Sequence, residues 1–206
     1  VSKTEYRFQQ IWITYWMTVA IDTNSLIYLI RYYLKFDSND KLYDLFKNKI
    51  ENGQIVIINE VLEECKYTSK KIVVETFDFL LDKDWKKENK VIVKTDAIIP
   101  PSPTKFHNIV DNQMINARAK REFTEDEYEV AKEQFLKSAD ARLILYGIDF
   151  KSKNKQEEFY VITEESDVQN DNKAFKKIPT FGSFVGVDVI SIADLLDKYP
   201  EINVQF

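Results

Sequence analysis

Two patterns in this chain predict an α/β fold with a mainly parallel central sheet. Short runs rich in β-branched residues alternate with stretches of helical periodicity. A length of 206 residues also suits one domain, or a domain with a small appendage.

The elements follow in order. Thr18 to Ile21 is a short apolar strand that ends at Asp22. Ser25 to Lys35 has Leu26, Ile27, Leu29, Ile30, Tyr33 and Leu34 at helical spacing. A second helix spans Lys41 to Ile50 and is stopped by Asn52-Gly53. Gln54 to Ile58 reads as a buried strand, followed at once by a helix from Asn59 to about Tyr67. Val73 to Leu81 is helical by periodicity. Val91-Ile92-Val93 is a strand or part of an insertion, and Pro100-Pro101-Ser102-Pro103 is a break. Asn108 to Arg121 is expected to be helical. Thr124-Glu125-Asp126-Glu127 has the form of a capping box and opens a helix through about Leu136. A further helix runs from Ser138 to Tyr146 and is expected to stop at Gly147. Glu158 to Thr163 and Val187 to Ile190 are the last strands, and a helix from Ser191 to Lys198 closes the pattern. Residues 1–16 read either as an extension upstream of Met17 or as an N-terminal element packed on the domain, which then spans 17–206.

Composition removes several function classes. Only four glycines occur, and there is neither a Gly-x-Gly-x-x-Gly nor a Walker A pattern, so the usual nucleotide-cradling loops are absent. The single cysteine, Cys65, permits no intrachain disulfide and no multi-cysteine zinc site. It reads as a buried small hydrophobe and suits a reducing cytosol. The single histidine, His107, reads as a surface loop residue, and His-rich metal sites are excluded. Enzymatic chemistry would therefore rest on carboxylates or lysines. The net charge of -5 is not that of a basic nucleic-acid binder, although five acids gathered around a metal would leave the remainder neutral. No segment reaches the ~20 apolar residues that span a bilayer, so a cytoplasmic, non-membrane protein is expected.

Open parallel sheets carry their sites at the carboxyl ends of the strands. Acids stand there. Asp22 follows the first strand. Glu60, Glu63 and Glu64 lie on the helix after the second, with Glu60 and Glu64 on one face. Asp140 lies among small residues, and Glu164, Glu165 and Asp167 follow the strand that ends at Thr163. Any one acid is most often a solvated surface charge, and Asp22 could merely cap the next helix. Carboxylates converging on one edge, however, repel each other unless a cation joins them. Mg²⁺ and Mn²⁺ favour such oxygen donors.

The segments Ile21-Asp22-Thr23-Asn24, Val61-Leu62-Glu63-Glu64, Ala139-Asp140-Ala141 and Val161-Ile162-Thr163-Glu164-Glu165 together resemble the acidic motifs of PIN-like domain nucleases. The later stretches Lys176-Lys177-Ile178-Pro179 and Val187-Asp188-Val189-Ile190 resemble the tail of a subfamily related to VapC-type toxin ribonucleases. The likeness covers most of the chain from Met17 and is weak over about 82–135. It implies a three-layer α/β/α fold and a metal-dependent endoribonuclease, the toxin of a toxin–antitoxin pair. Its implied partners are an RNA substrate, an antitoxin protein and a second copy of the chain. The implied acids are Asp22, Glu64, Asp140 and Glu165, holding Mg²⁺ or Mn²⁺, with Asp167 sharing the duty and Glu60 or Glu63 as substitutes for Glu64. Glu165 departs from the family's usual Asp. Thr23, Asn24 and Thr163 would orient the ligands. Lys66, Lys70 and Lys71, and Lys173, Lys176 and Lys177, are either a solvated face or contacts to an RNA backbone. Two other readings stand beside this one. The first is a PIN-like binding or scaffold module without catalysis. The second is a phosphohydrolase of the haloacid-dehalogenase type, against which Asn24 counts, because that class wants an Asp there.

Overall fold

A computed structural model describes residues 17–89, 91–166 and 173–202. The reading of residues 1–16 as an extension therefore lies outside the described residues, as does Asp167. The fold is three-layer α/β/α around a five-stranded, all-parallel sheet. The strands are β1 (Met17–Ile21), β2 (Ile55–Ile58), β3 (Ile92–Val93), β4 (Glu158–Ile162) and β5 (Asp188–Ile190). Their order across the sheet is β3-β2-β1-β4-β5. The chain thus builds outward from β1 in one direction through β2 and β3, then returns to the other side of β1 with β4 and β5. The order reverses between β1 and β4, the kind of switch point at which open parallel sheets carry their sites. Register fixes that edge: Ala20 pairs with Val161 and Ile21 with Ile162.

The central strands are buried on both faces, as a parallel sheet covered by helices requires. Ile55, Ile57 and Ile58 of β2, and Val19, Ala20 and Ile21 of β1, are fully enclosed. Helices α1 (Thr23–Tyr32), α2 (Lys41–Glu51), α3 (Asn59–Cys65), α4 (Ile72–Thr76) and α5 (Lys83–Asn89) precede or adjoin β3. After it come α6 (Pro103–Ile109), α7 (Ala117–Glu122), α8 (Glu125–Lys137), α9 (Ala139–Lys153), α10 (Ile178–Val185) and α11 (Ile192–Lys198). The helix α8 opens with both halves of the expected capping box, and Ser191 with Asp194 makes a second one at α11. Among the described residues no helix is long and apolar enough to cross a membrane.

Several helices depart from their periodicity. The stretch expected as one helix over Val73 to Leu81 is α4 plus a 3₁₀ turn, Asp78–Leu80, broken at Phe77, whose φ and ψ are -104° and 62°. Asn108 to Arg121 is also interrupted. Pro103 opens α6, a π turn over Val110–Met114 follows, and Ile115 turns extended to bridge Phe175 before α7 begins. His107 therefore lies on exposed helix α6, not in a loop. Gly147 does not stop its helix. Helix α9 runs through it to Lys153, and a Cβ there would come within 2.8 Å of Phe159 and 2.9 Å of Val187. The glycine is a contact point where α9 crosses the sheet, not a terminator. Val91-Ile92-Val93 resolves as the edge strand β3, paired with β2 through Ile57–Ile92.

One backbone feature stands out. Ser69, Lys70 and Lys71 have φ of 50°, 58° and 64°, three consecutive left-handed residues without a glycine among them. Such a conformation costs roughly 1–2 kcal/mol per L-residue.

Candidate functional site

The sequence after β1 places Asp22 as the N-cap residue of α1, yet its side chain makes no capping hydrogen bond. It is 2% exposed. Its Oδ2 accepts a hydrogen bond from Thr163 Oγ1 at 3.2 Å, across the reversal between β1 and β4. Asp140 lies in the first turn of α9, two residues after Ser138. The Ser138 hydroxyl accepts from Ala141 N at 3.3 Å and donates to Phe135 O at 2.7 Å. These local caps bring the start of α9 to the same sheet edge.

The electrostatics tie the acids together. The Asp22 carboxyl is pushed up to about 7, first by burial and then by Asp140, Glu165 and Glu64, with the Thr163 hydrogen bond opposing. Asp140 is pushed up to about 6 by burial, by Glu165 and by Glu64, while Lys173 opposes. Four of the expected acids therefore lie within each other's fields.

The three candidates on α3 separate by what they touch. Glu64 Oε2 accepts from Thr23 Oγ1 at 2.8 Å and faces Asp22 and Asp140. Glu63 is exposed and pairs with Lys66. Glu60 turns away to Thr95, whose Oγ1 donates to Glu60 Oε1 at 2.5 Å. Glu165 is tied on two sides, accepting from Lys173 Nζ at 3.1 Å and from Ile178 N at 3.2 Å. Its neighbour Glu164 accepts from Ile192 N at 2.8 Å and so holds the first turn of α11. Thr163 also accepts from Glu165 N at 3.2 Å, which fixes the turn carrying Glu165 beside Asp22. Asn24 is exposed. Cys65 is buried, its thiol pushed up to about 12 chiefly by burial, with a hydrogen bond to Thr23 opposing. It is not a nucleophile in this state.

A polar group that the strand-end argument missed flanks the acids on the β3 side. Thr95 is fully enclosed, and its N–H donates to Asn59 Oδ1 at 3.0 Å. Arg142 Nη1 donates to Thr95 O at 3.3 Å. Glu60 Oε2 and Arg142 Nε are buried there without partners among the described residues. Position alone could have found this group, since Thr95 lies two residues past β3 and Arg142 two past Asp140.

Among the described residues no three His, Cys, Asp or Glu side chains already form a cluster that would hold a metal ion. The donors nonetheless suit a hard divalent cation. They are oxygen-only, buried Asp22 and half-buried Asp140 repel each other, and Ser25 Oγ in the first turn of α1 is buried without a partner among the described residues.

A doubly covered parallel sheet with carboxylates at its reversal point defines the class: an α/β protein with an acidic site at the strand ends. More particularly, the chain belongs to the DUF4411 family, described as a domain of unknown function, which matches residues 19–201. No curated protein and no solved structure matches it.

Proposed function

We propose that this protein is a metal-dependent endoribonuclease that hydrolyses RNA phosphodiesters. The observation that carries the reading is Asp22: a buried carboxyl at the sheet's reversal point, raised to about 7 by burial and by Asp140, Glu165 and Glu64. A folded protein that concentrates negative charge this way gains by binding a cation there. Asp22, Glu64 and Asp140 would hold Mg²⁺ or Mn²⁺, with Glu165 and Asp167 completing the donor set. The bound ion would supply an activated water and neutralise charge on the phosphoryl group. The chain's own residues orient the site. Thr163 fixes Asp22 and Thr23 fixes Glu64, each by a hydroxyl donated to the carboxylate. Lys173 holds Glu165, and a bound cation would compete with it for that carboxylate. No histidine base is needed, in keeping with a sequence that has one histidine, far along the chain on α6.

The resemblance to VapC-type toxins extends the proposal to a toxin of a toxin–antitoxin pair, with an antitoxin protein and a second copy of the chain as partners. A second reading, a non-catalytic module, is favoured by one observation: Glu165 is already satisfied by Lys173 and Ile178 N.

RNA cleavage by the purified protein, with Mn²⁺, Mg²⁺ or EDTA, beside Asp22→Asn and Asp140→Asn, decides between the two. Cleavage that needs metal and is lost in both variants is the expected result. Activity unchanged in the variants would sink the site assignment. No cleavage and no Mn²⁺ binding by calorimetry would favour the module.

A further inference from the structure

Resting on that reading of the site, we propose that Tyr67, Lys70 and Lys71 form a platform for single-stranded RNA beside the acids, with Tyr67 stacking on a base and the lysines contacting phosphates.

The segment leaves directly from the wall of the site. Helix α3 carries Glu64 and ends at Cys65, whose thiol is hydrogen-bonded to Thr23 and lies in the field of Glu64 and Asp22. Two residues later Tyr67 is 80% exposed, with no ring contact or hydroxyl hydrogen bond among the described residues. A tyrosine so placed offers a free aromatic face. Lys70 and Lys71 make no hydrogen bond or ion pair among the described residues, whereas Lys66 is spent on Glu63.

The backbone argues in the same direction. Ser69, Lys70 and Lys71 hold left-handed φ values, where glycine would be the lower-energy residue. Both lysines are exposed, and their ammonium groups have no hydrogen-bond or ion-pair partner among the described residues. They are held for something outside the molecule. An exposed aromatic face interleaved with unpaired cations is the chemistry that takes a single strand. A base must be unstacked to lie on the ring, so a duplex would not use it.

The test is binding of a short, labelled single-stranded RNA of mixed sequence, followed by anisotropy in EDTA over a salt series. The background is Asp22→Asn, so that cleavage does not interfere. Tyr67→Ala is expected to weaken binding about 5- to 150-fold. Lys70→Gly with Lys71→Gly is expected to reduce the slope of log affinity against log salt by about 1.4. The same double variant should melt at a higher temperature than its parent, because glycine relieves the left-handed strain. Unchanged binding in both variants would overturn the platform. So would a parent that binds no single-stranded RNA at low salt, or a double variant that melts lower. The two readings fail separately. Weakened binding in the variants together with no metal-dependent cleavage by the wild type would keep the platform and sink the ribonuclease. Wild-type cleavage with binding unchanged in the variants would do the reverse.

Discussion

Asp22 has the most strongly raised carboxyl among the described residues, and its titration has a definite sign. Its folded value of about 7 stands above the 3.8 of an unperturbed Asp, so the folded state binds the proton more tightly than the unfolded chain. Stability from this group is full at low pH and is lost as pH rises through about 7. Asp140, at about 6, acts in the same direction. In EDTA the melting temperature is therefore expected to climb as pH is lowered from about 8 to about 5, before other acids protonate. Asp22→Asn removes the buried charge and should raise metal-free stability near pH 8 by about 2 kcal/mol, roughly 4–8 °C. A variant that melts lower than the parent under those conditions would contradict the repulsion between the acids. At this scale the sequence located Asp22 and Asp140, because each stands next to a strand end or helix start that periodicity defines. It could not choose among Glu60, Glu63 and Glu64. That choice rests on Thr23 and Thr95, which lie on other elements and hold Glu64 and Glu60 respectively.

Elements hold the site through their ends. Helix α9 presents Asp140 in a first turn capped by Ser138. Ser138→Ala should cost about 1 kcal/mol and should weaken Mn²⁺ binding as the first turn frays, which calorimetry would detect. Unaltered metal affinity would show that Asp140 is placed by packing instead. Helix α10 carries Ile178, whose N–H meets Glu165, and it packs tightly on β5. A Cβ on Gly182 would lie 2.6 Å from Val187 O and 2.7 Å from Val189 Cγ2. Gly182→Ala must push α10 off the strand, and a loss of about 1–3 kcal/mol by urea unfolding is expected. The capping box at Thr124, the strand runs and the proline break were legible in the sequence, since each depends on residues a few positions apart. The break at Phe77 and the π turn at Val110–Met114 were not. At the first, Phe77 stacks on Tyr43, and just after the second Ile115 bridges Phe175; both Tyr43 and Phe175 are remote in the chain.

At the scale of the whole molecule, the proposed cation site couples ion binding to folding. One hydrophobic cluster runs over both faces of the sheet, so the acidic edge is held rigidly by strands buried on both sides. The C-terminal end is tied back as well: Lys49 Nζ meets Glu201 at 2.8 Å and lies over the Tyr199 ring at 4.7 Å. Such a frame keeps repelling carboxylates together when no cation is present, and an ion that binds the folded state alone must stabilise it. At a Mn²⁺ concentration about 100 times its Kd the gain is about 2.7 kcal/mol, or roughly 5–11 °C. The gain should vanish in Asp22→Asn and shrink at low pH, where protons compete. A melting temperature indifferent to Mn²⁺ and Mg²⁺ would argue for the non-catalytic module.

The sequence by itself determined the α/β class, the order of the strands along the chain and the acids at their ends. All three follow from local patterns: β-branched runs, helical spacing and the residue that stands just past each run. Only the tertiary structure decided that the sheet reverses between β1 and β4, because strand order depends on pairing between segments more than a hundred residues apart. That reversal sets Thr163 against Asp22, and the raised proton affinity of Asp22 comes from its burial and from Asp140 and Glu165, with the Thr163 hydrogen bond opposing. It also decided that Gly147 lies inside a helix, since the reason for that glycine is Phe159 and Val187 across the layer, not the residues beside it.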